Sequence, residues 1–353
     1  MPEHSVSLLS RSFVVPLEQR LFENCHASTL VLLPNGEKLT AFFGGRREGA
    51  GDVAIWLARG DGRGWQPPRR LMAEPGLAHW NPVLLADGET VWLFYKVGAT
   101  VHDWVTRWSV SRDSGATWSP PAPLVAGETA PRGPVRNKIL VMSNGEWLAC
   151  SSVETETTWD AFVDISGSRG AGWQRVDIPF RHQPPGAAGK SGSTWAGLSA
   201  DALWETDPAR VFRWDGVIQP SAWESAPGRV HLLMRSTRGV LYRADSPDFG
   251  RSWNEAHPTG VPNNNSGIDL VQLSPGRIVL VCNPVGGNWG RRSPLSVLLS
   301  DDNGDTFRRV YDLETGDGEF SYPAVLAIGK DIHLTYTYNR KSIVYCHLKF
   351  AEE

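Results

Sequence analysis

Ser111-Arg-Asp113-Ser-Gly115-Ala-Thr117-Trp118 returns twice more along the chain, as Ser246-Pro-Asp248-Phe-Gly250-Arg-Ser252-Trp253 and as Ser300-Asp-Asp302-Asn-Gly304-Asp-Thr306-Phe307. The shared pattern is S-x-D-x-G-x-[TS]-[WF], and its residue types describe a tight turn. An Asp carboxylate accepts from backbone N–H groups of its own turn, Gly takes up positive φ, and the closing aromatic packs under the hairpin. Two worn copies, ARGDGRGW (58–65) and SGSRGAGW (166–173), keep the Gly and the closing Trp. At the closing aromatic the five copies stand at 65, 118, 173, 253 and 307, giving intervals of 53, 55, 80 and 54. A period of about 50 residues with such turns belongs to arrays of small β-sheets.

The rest of the sequence agrees with an all-β chain. Sixteen Trp, 36 Gly and 25 Pro combine strand formers with helix breakers. VWLFYKV (91–97), RVHLLM (229–234), RIVLVC (277–282) and DIHLTYTY (331–338) are apolar, β-branched and aromatic. No segment sustains a 3.6-residue apolar period, so little helix is expected. Five turns plus unboxed C-terminal strands at 332–338 and 342–349 predict a single six-bladed β-propeller over residues 1–353, closed by the strand at 6–15. The long interval holds HQPPGAAGKSGSTW (182–195), which predicts a loop inserted over one face at about 182–215. The turns sit at the rim of such a ring, so they identify the scaffold and not the chemistry.

Charge and cysteine content narrow the function. A net charge of −3, with 35 scattered Lys and Arg, argues against a nucleic-acid partner. Cys25, Cys150, Cys282 and Cys346 lie far apart, without zinc spacing or disulfide density. No apolar stretch reaches about 18 residues, and the N-terminal stretch is broken by Arg11 and Glu18, so a cytoplasmic protein without a membrane partner is the expectation. The nine His show no metal-binding spacing and the acidic residues form no calcium loop, so neither metal nor cofactor is predicted. Nothing in the sequence fixes an oligomeric state.

The repeated turn is the Asp-box, and an ordered series of further motifs extends the likeness. CHASTL, FFGGRREGAGDVAIW, HWNPVLL, GPVRNK, SSVE, GVIQPS, MRSTRG, NNNSGIDLV, RRSPL, GEFSYPAV and TYTYNR run along nearly the whole chain. The series resembles the BNR-repeat, sialidase-like proteins of the sialidase superfamily. That resemblance implies an exo-glycoside hydrolase that removes a terminal acidic sugar, such as sialic acid or a related ulosonic acid. By position His26 falls at the first substrate-binding Arg of sialidases, Arg46 or Arg47 at the second Arg of the first blade, and Asp52 at the acid/base. Arg235 and Arg292 correspond to the later arginines that grip the substrate carboxylate, and Tyr322 to the nucleophilic Tyr. Guanidinium groups suit this task because their planar fork meets both carboxylate oxygens. A neutral phenol avoids the repulsion that a carboxylate nucleophile would meet at an anomeric centre already bearing a carboxylate.

Two positions depart from that pattern. His26 replaces an Arg, leaving Arg46, Arg47, Arg136 or Arg340 to complete the clamp. Gln219 stands near where a Glu would take the Tyr proton, and Gln is no base. Glu48, Glu154 and Asp269 are alternative bases, whereas strand alternation places Glu319 on the face opposite Tyr322. His79 and Asn81, in HWNP, complete the candidate binding residues, with a hydrogen-bonded core role the alternative for His79. The departures leave open a uronate-directed lyase or glycosidase using His26, His79 and Tyr322, and a non-catalytic carbohydrate-binding propeller whose Trp residues stack on sugars.

Overall fold

A computed structural model describes residues 6–184, 194–195 and 207–351. After β1 (Val6–Phe13), the first sheet is β2 (Asn24–Leu32), β3 (Lys38–Gly45), β4 (Ala54–Gly60) and β5 (Arg69–Met72). The second is β6 (Ala78–Asp87), β7 (Thr90–Gly98), β8 (Val105–Ser111) and β9 (Ala122–Pro123). Next come β10 (Leu140–Val141), β11 (Trp147–Glu154), β12 (Thr158–Gly167) and β13 (Ala171–Asp177), then β14 (Asp215–Ala226), β15 (Arg229–Ser236), β16 (Val240–Ser246) and β17 (His257–Pro262). A further sheet is β18 (Asp269–Ser274), β19 (Arg277–Cys282), β20 (Leu295–Ser300) and β21 (Arg308–Glu314). The last joins β22 (Phe320–Ile328), β23 (Asp331–Tyr338) and β24 (Ser342–Phe350) to β1, which pairs antiparallel with β24 and so ties the two ends of the chain together. Among the described residues, helix is confined to α1 (Pro208–Val211) and one short 3-10 turn.

The arrangement is all-β and propeller-like, but six separate four-stranded sheets are not what the hydrogen bonds make. Four sheets stand alone, and β10 to β17 form one eight-stranded sheet. The fusion is local: Thr158 and Trp159 of β12 pair in parallel with Asp215 and Gly216 of β14. Gly216 permits it, because its φ is +147° and a Cβ there would lie 1.9 Å from the Trp159 carbonyl oxygen. Gly216→Ala is therefore expected to lower stability by roughly 2–4 kcal/mol, read from a denaturant midpoint, since backbone must part to admit the methyl.

Each of the three full Asp-boxes joins the last two strands of a four-strand group and repeats the same bonds. Asp113 Oδ1 accepts from Thr117 N at 2.8 Å, Asp248 Oδ1 from Ser252 N at 2.8 Å, and Asp302 Oδ1 from Thr306 N at 2.9 Å. The Ser at each start accepts from the Gly N–H at 2.8 Å. The Thr117 hydroxyl and backbone N–H both donate to the Asp113 carboxylate and hold it down at about 2. The residue before each Gly (Ser114, Phe249, Asn303) is also left-handed, a feature the residue pattern does not announce.

The strands that open the sheets, β2, β6, β14, β18 and β22, neighbour one another around the centre. Near the start of each four-strand group one non-glycine residue has positive φ: Ala27, Asn81, Arg136, Gln219, Asn265 and Tyr322. In β2, β6, β14 and β22 the pairing register slips at that residue, the signature of a bulge. A bulge re-aims side chains, and three of these six, Asn81, Gln219 and Tyr322, line the central cavity.

Cys25, Cys150, Cys282 and Cys346 are buried and free. Among the described residues no helix is long and apolar enough to cross a membrane. Of the loop expected at about 182–215, residues 185–193 and 196–206 lie outside the described residues.

Candidate functional site

The central cavity has a volume of about 750 Å³. Tyr322 stands at its wall in a left-handed conformation, φ +55°, that an aromatic residue adopts only when its surroundings enforce it. Its hydroxyl accepts from Arg235 Nη1 at 2.7 Å, and the same nitrogen donates to Gln219 Oε1 at 3.1 Å. The guanidinium carbons of Arg136, Arg292 and Arg235 lie 5.1, 5.4 and 5.7 Å from the Tyr322 ring centroid. His26 packs on the same ring, with centroids 4.0 Å apart.

The cations differ in how they are compensated. Glu319 accepts from Arg292 at 2.6 Å and from Arg340 at 3.1 Å, and Arg340 also pairs with Glu48. Those carboxylates hold Arg340 above its ordinary value against the opposing effect of burial. Arg235, only 3 % exposed, is held by neutral groups: Asn265 Oδ1 at 2.9 Å, Gln219 and Tyr322. Arg136 donates to the carbonyls of Ile268 and Pro323, while its Nε and Nη1 are buried without a hydrogen bond. Burial lowers it to about 10. Two buried cations, neither paired with a carboxylate among the described residues, favour an anionic ligand group in the space beside them.

His26 is neutral. Burial, followed by Arg340, Arg292, Arg136 and Arg235, holds it well below its ordinary value. Arg340 Nη2 can only donate, so His26 Nε2 accepts it at 3.3 Å and Nδ1–H donates to Thr337 Oγ1 at 2.8 Å. Arg340, not His26, thus supplies the charge that the first strand lacks.

Glu154, the last residue of β11, lines the cavity and is pushed up to about 7 by burial, with Arg235 and His102 acting in the opposite sense. A carboxyl that keeps its proton near neutrality is suited to general-acid work. It also makes stability depend on pH. The unfolded carboxyl ionises near 4.5 and the folded one near 7, so stability falls as pH rises through that window. Glu154→Gln removes the penalty and is expected to stabilise the protein by on the order of 2 kcal/mol at pH 8 and by almost nothing at pH 4, measured by paired denaturation curves.

Several predicted site residues fall elsewhere. Asp52 and Arg46 line a different pocket, and Arg47 is exposed outside both. The loop 46–53 explains this: Asp52 Oδ2 accepts from Arg46 N at 3.1 Å, and Val53 N donates to Ala50 O at 3.0 Å. This closure sends Glu48 toward the cavity and leaves Asp52 as a turn cap. His79 is a core residue, accepting from Glu74 N and bonded to Leu77 O, each at 3.1 Å. Asp269 is a structural hub, bound by Lys138, Ser221 and the Val325 amide. Glu319 reaches Arg292, which lies over the Tyr322 ring; the bulge at Tyr322 breaks the alternation that predicted opposite faces.

Other cavity residues carry no motif of their own. Trp159 and Trp214 stack with centroids 5.1 Å apart, and Trp289 lies 5.4 Å from Trp214. Arg210 and Arg213 arrive with α1, whose start is legible in Asp207-Pro208: the Asp207 side chain accepts from Ala209 N. Among the described residues no cluster of three His, Cys, Asp or Glu is placed to hold a metal.

The family described as a BNR repeat-like domain matches residues 36–334. The chain belongs to that family. No curated protein matches this BNR-repeat chain. Among solved structures it is similar to a protein of unknown function from Dyadobacter fermentans, at 15% identity and a TM-score of 0.71, covering 99% of this chain and 100% of that one. It is equally similar to the Hadza microbial sialidase Hz136, at 17% identity and a TM-score of 0.71, covering 96% and 68%. Trypanosoma rangeli sialidase follows at 14% identity and 0.68, covering 96% of this chain and 59% of that chain. At these identities the likeness shows a sialidase-like fold, and the BNR-repeat protein's chemistry must be argued from its own residues.

Proposed function

We propose that this BNR-repeat protein is an exo-glycoside hydrolase of terminal acidic sugars, working on a six-bladed ring. The observation that carries the reading is Arg235: a buried guanidinium in the cavity, held by neutral partners and touching the hydroxyl of Tyr322. The substrate carboxylate would take its place among Arg235, Arg292 and Arg340. Tyr322, releasing its O–H proton to solvent, would attack the anomeric carbon as a phenolate, and Glu154, in place of Asp52, would protonate the leaving oxygen and later activate water, the phenol regaining its proton when the sugar leaves. The six-bladed count is supported by the six left-handed positions and by treating the eight-stranded sheet as two blades joined at Gly216.

Gln219 favours a second reading. It cannot accept the Tyr322 proton, and it sits hydrogen-bonded to the same Arg235. A Tyr322 oxygen surrounded by guanidinium groups could instead remove the proton beside a uronate carboxylate, with Glu154 protonating the leaving oxygen, which is lyase chemistry. One experiment decides between them. Incubation with sialosides, ulosonides and uronides, followed by mass analysis, yields a free acidic sugar for hydrolysis and an unsaturated, ultraviolet-absorbing product for elimination. No product from any of the three classes would overturn both readings.

A further inference from the structure

The loop 46–53 is a wall with two sides. Glu48 lines the central cavity, whereas Arg46 and Asp52 line a second pocket of about 1020 Å³. That size stands at the upper end of ordinary ligand pockets. Four cations converge there, Arg20, Arg46, Arg70 and Lys341, against two carboxylates, Glu23 and Asp52. The whole chain carries a net charge of −3, so this local excess of positive charge runs against the average.

Arg20, Arg46 and Arg70 are exposed, whereas the more buried Arg132, Arg238, Arg243 and Arg292 are each held by a carboxylate. Among the described residues, the guanidinium groups of Arg20, Arg46 and Arg70 have neither ion pair nor hydrogen bond. They are brought into one pocket by three separate segments: the stretch after β1, the end of β3 and strand β5. The apolar part of the lining is rigid. Trp56 donates to the Gly44 carbonyl at 3.1 Å, and Phe22 meets its ring edge-on with centroids 5.3 Å apart. Planar forks beside a fixed aromatic pair match a carboxylated sugar, whose anionic group takes the forks and whose C–H face takes the ring.

We propose that this pocket is a second carbohydrate site, binding a carboxylate-bearing sugar unit of the same chain whose terminal unit enters the central cavity. The preferred substrate is then an acidic oligosaccharide and not a glycoside with a single acidic unit. The identity of the ligand rests on the acidic-sugar reading of the central cavity; the pocket's charge and shape do not.

The test is equilibrium binding by calorimetry, with an oligogalacturonide and an oligosialic acid as probes and a neutral oligosaccharide of the same length as control. Combining Arg46→Ala with Arg70→Ala is expected to weaken binding of the acidic probe at least about tenfold, because each lost charge-assisted contact contributes on that scale. Tyr322→Phe is expected to leave binding at this pocket intact. If the double variant does not fold, Arg20→Ala alone, in the stretch after β1, gives the same readout. Acidic probes bound no more tightly than the neutral one, or bound equally by wild type and arginine variants, would overturn the proposal. Absence of turnover in the wild-type protein with this binding present counts against the glycosidase reading alone; wild-type turnover with binding unchanged in the arginine variants counts against this site alone.

Discussion

Tyr322→Phe is expected to lower turnover of an acidic glycoside by on the order of 10³-fold or more, the scale seen when a covalent nucleophile is removed from an otherwise intact site. The variant keeps the ring that His26 and three guanidinium groups pack against, and removes one oxygen. Arg235 Nη1 keeps Gln219 for one of its two N–H groups, and the other is left at the cavity wall, where water can take it. Stability is therefore expected to change by about 1 kcal/mol or less. Steady-state kinetics beside a thermal melt separates loss of chemistry from loss of fold. A Phe variant with wild-type turnover would remove Tyr322 from the mechanism.

Arg235→Met is expected to lower kcat/KM on acidic substrates by about 10²-fold, with the larger part in KM. The estimate follows from losing charge-assisted hydrogen bonds of roughly 1.5–3 kcal/mol to the substrate carboxylate. Because the same nitrogen positions Tyr322, kcat should fall as well. Arg235→Lys restores the charge without the fork, so it should recover only part of the loss. The informative comparison is between substrates: reducing the carboxylate to an alcohol should shrink the difference between wild type and Arg235→Met to the smaller part carried by kcat. Equal losses on charged and neutral substrates would make Arg235 a positioning residue for Tyr322 and not a carboxylate ligand.

The scaffold was legible because its signal is local and repeated. Asp113, Asp248 and Asp302 each bond within a few residues of themselves, so the sequence contains both partners of every contact. Tyr322, Arg235 and Arg292 come from a first strand, a second strand and a connecting loop of three different groups, so no shared repeat position links them; the family motifs GEFSYPAV, MRSTRG and RRSPL make them readable together. Asp52 was misplaced for the opposite reason. Its spacing from Arg46 fits an acid/base, yet that spacing also closes the loop on itself, and only the resulting turn shows which carboxylate faces the cavity. Glu154, in SSVE, reads from sequence only as one of three alternative bases; what sets it apart is burial, a property of several elements together. Glu319, one residue before β22, meets an arginine that packs on Tyr322 although period-two alternation sets the two apart, because that rule assumes regular pairing and the register slips between Ser321 and Ala324. Those six left-handed residues are the positions where local rules fail, and half of them line the cavity.

The central claim, that Tyr322 attacks an acidic sugar within this cavity, is tested most directly by trapping the covalent intermediate. The protein is treated with the fluorinated glycosyl fluoride of whichever acidic sugar it releases, digested, and analysed by peptide mass spectrometry. The account predicts one adduct, of the mass of a single fluorinated sugar, on Tyr322, absent from Tyr322→Phe. Turnover of the parent glycoside with the adduct on another residue, or with no adduct in wild-type protein, would contradict it.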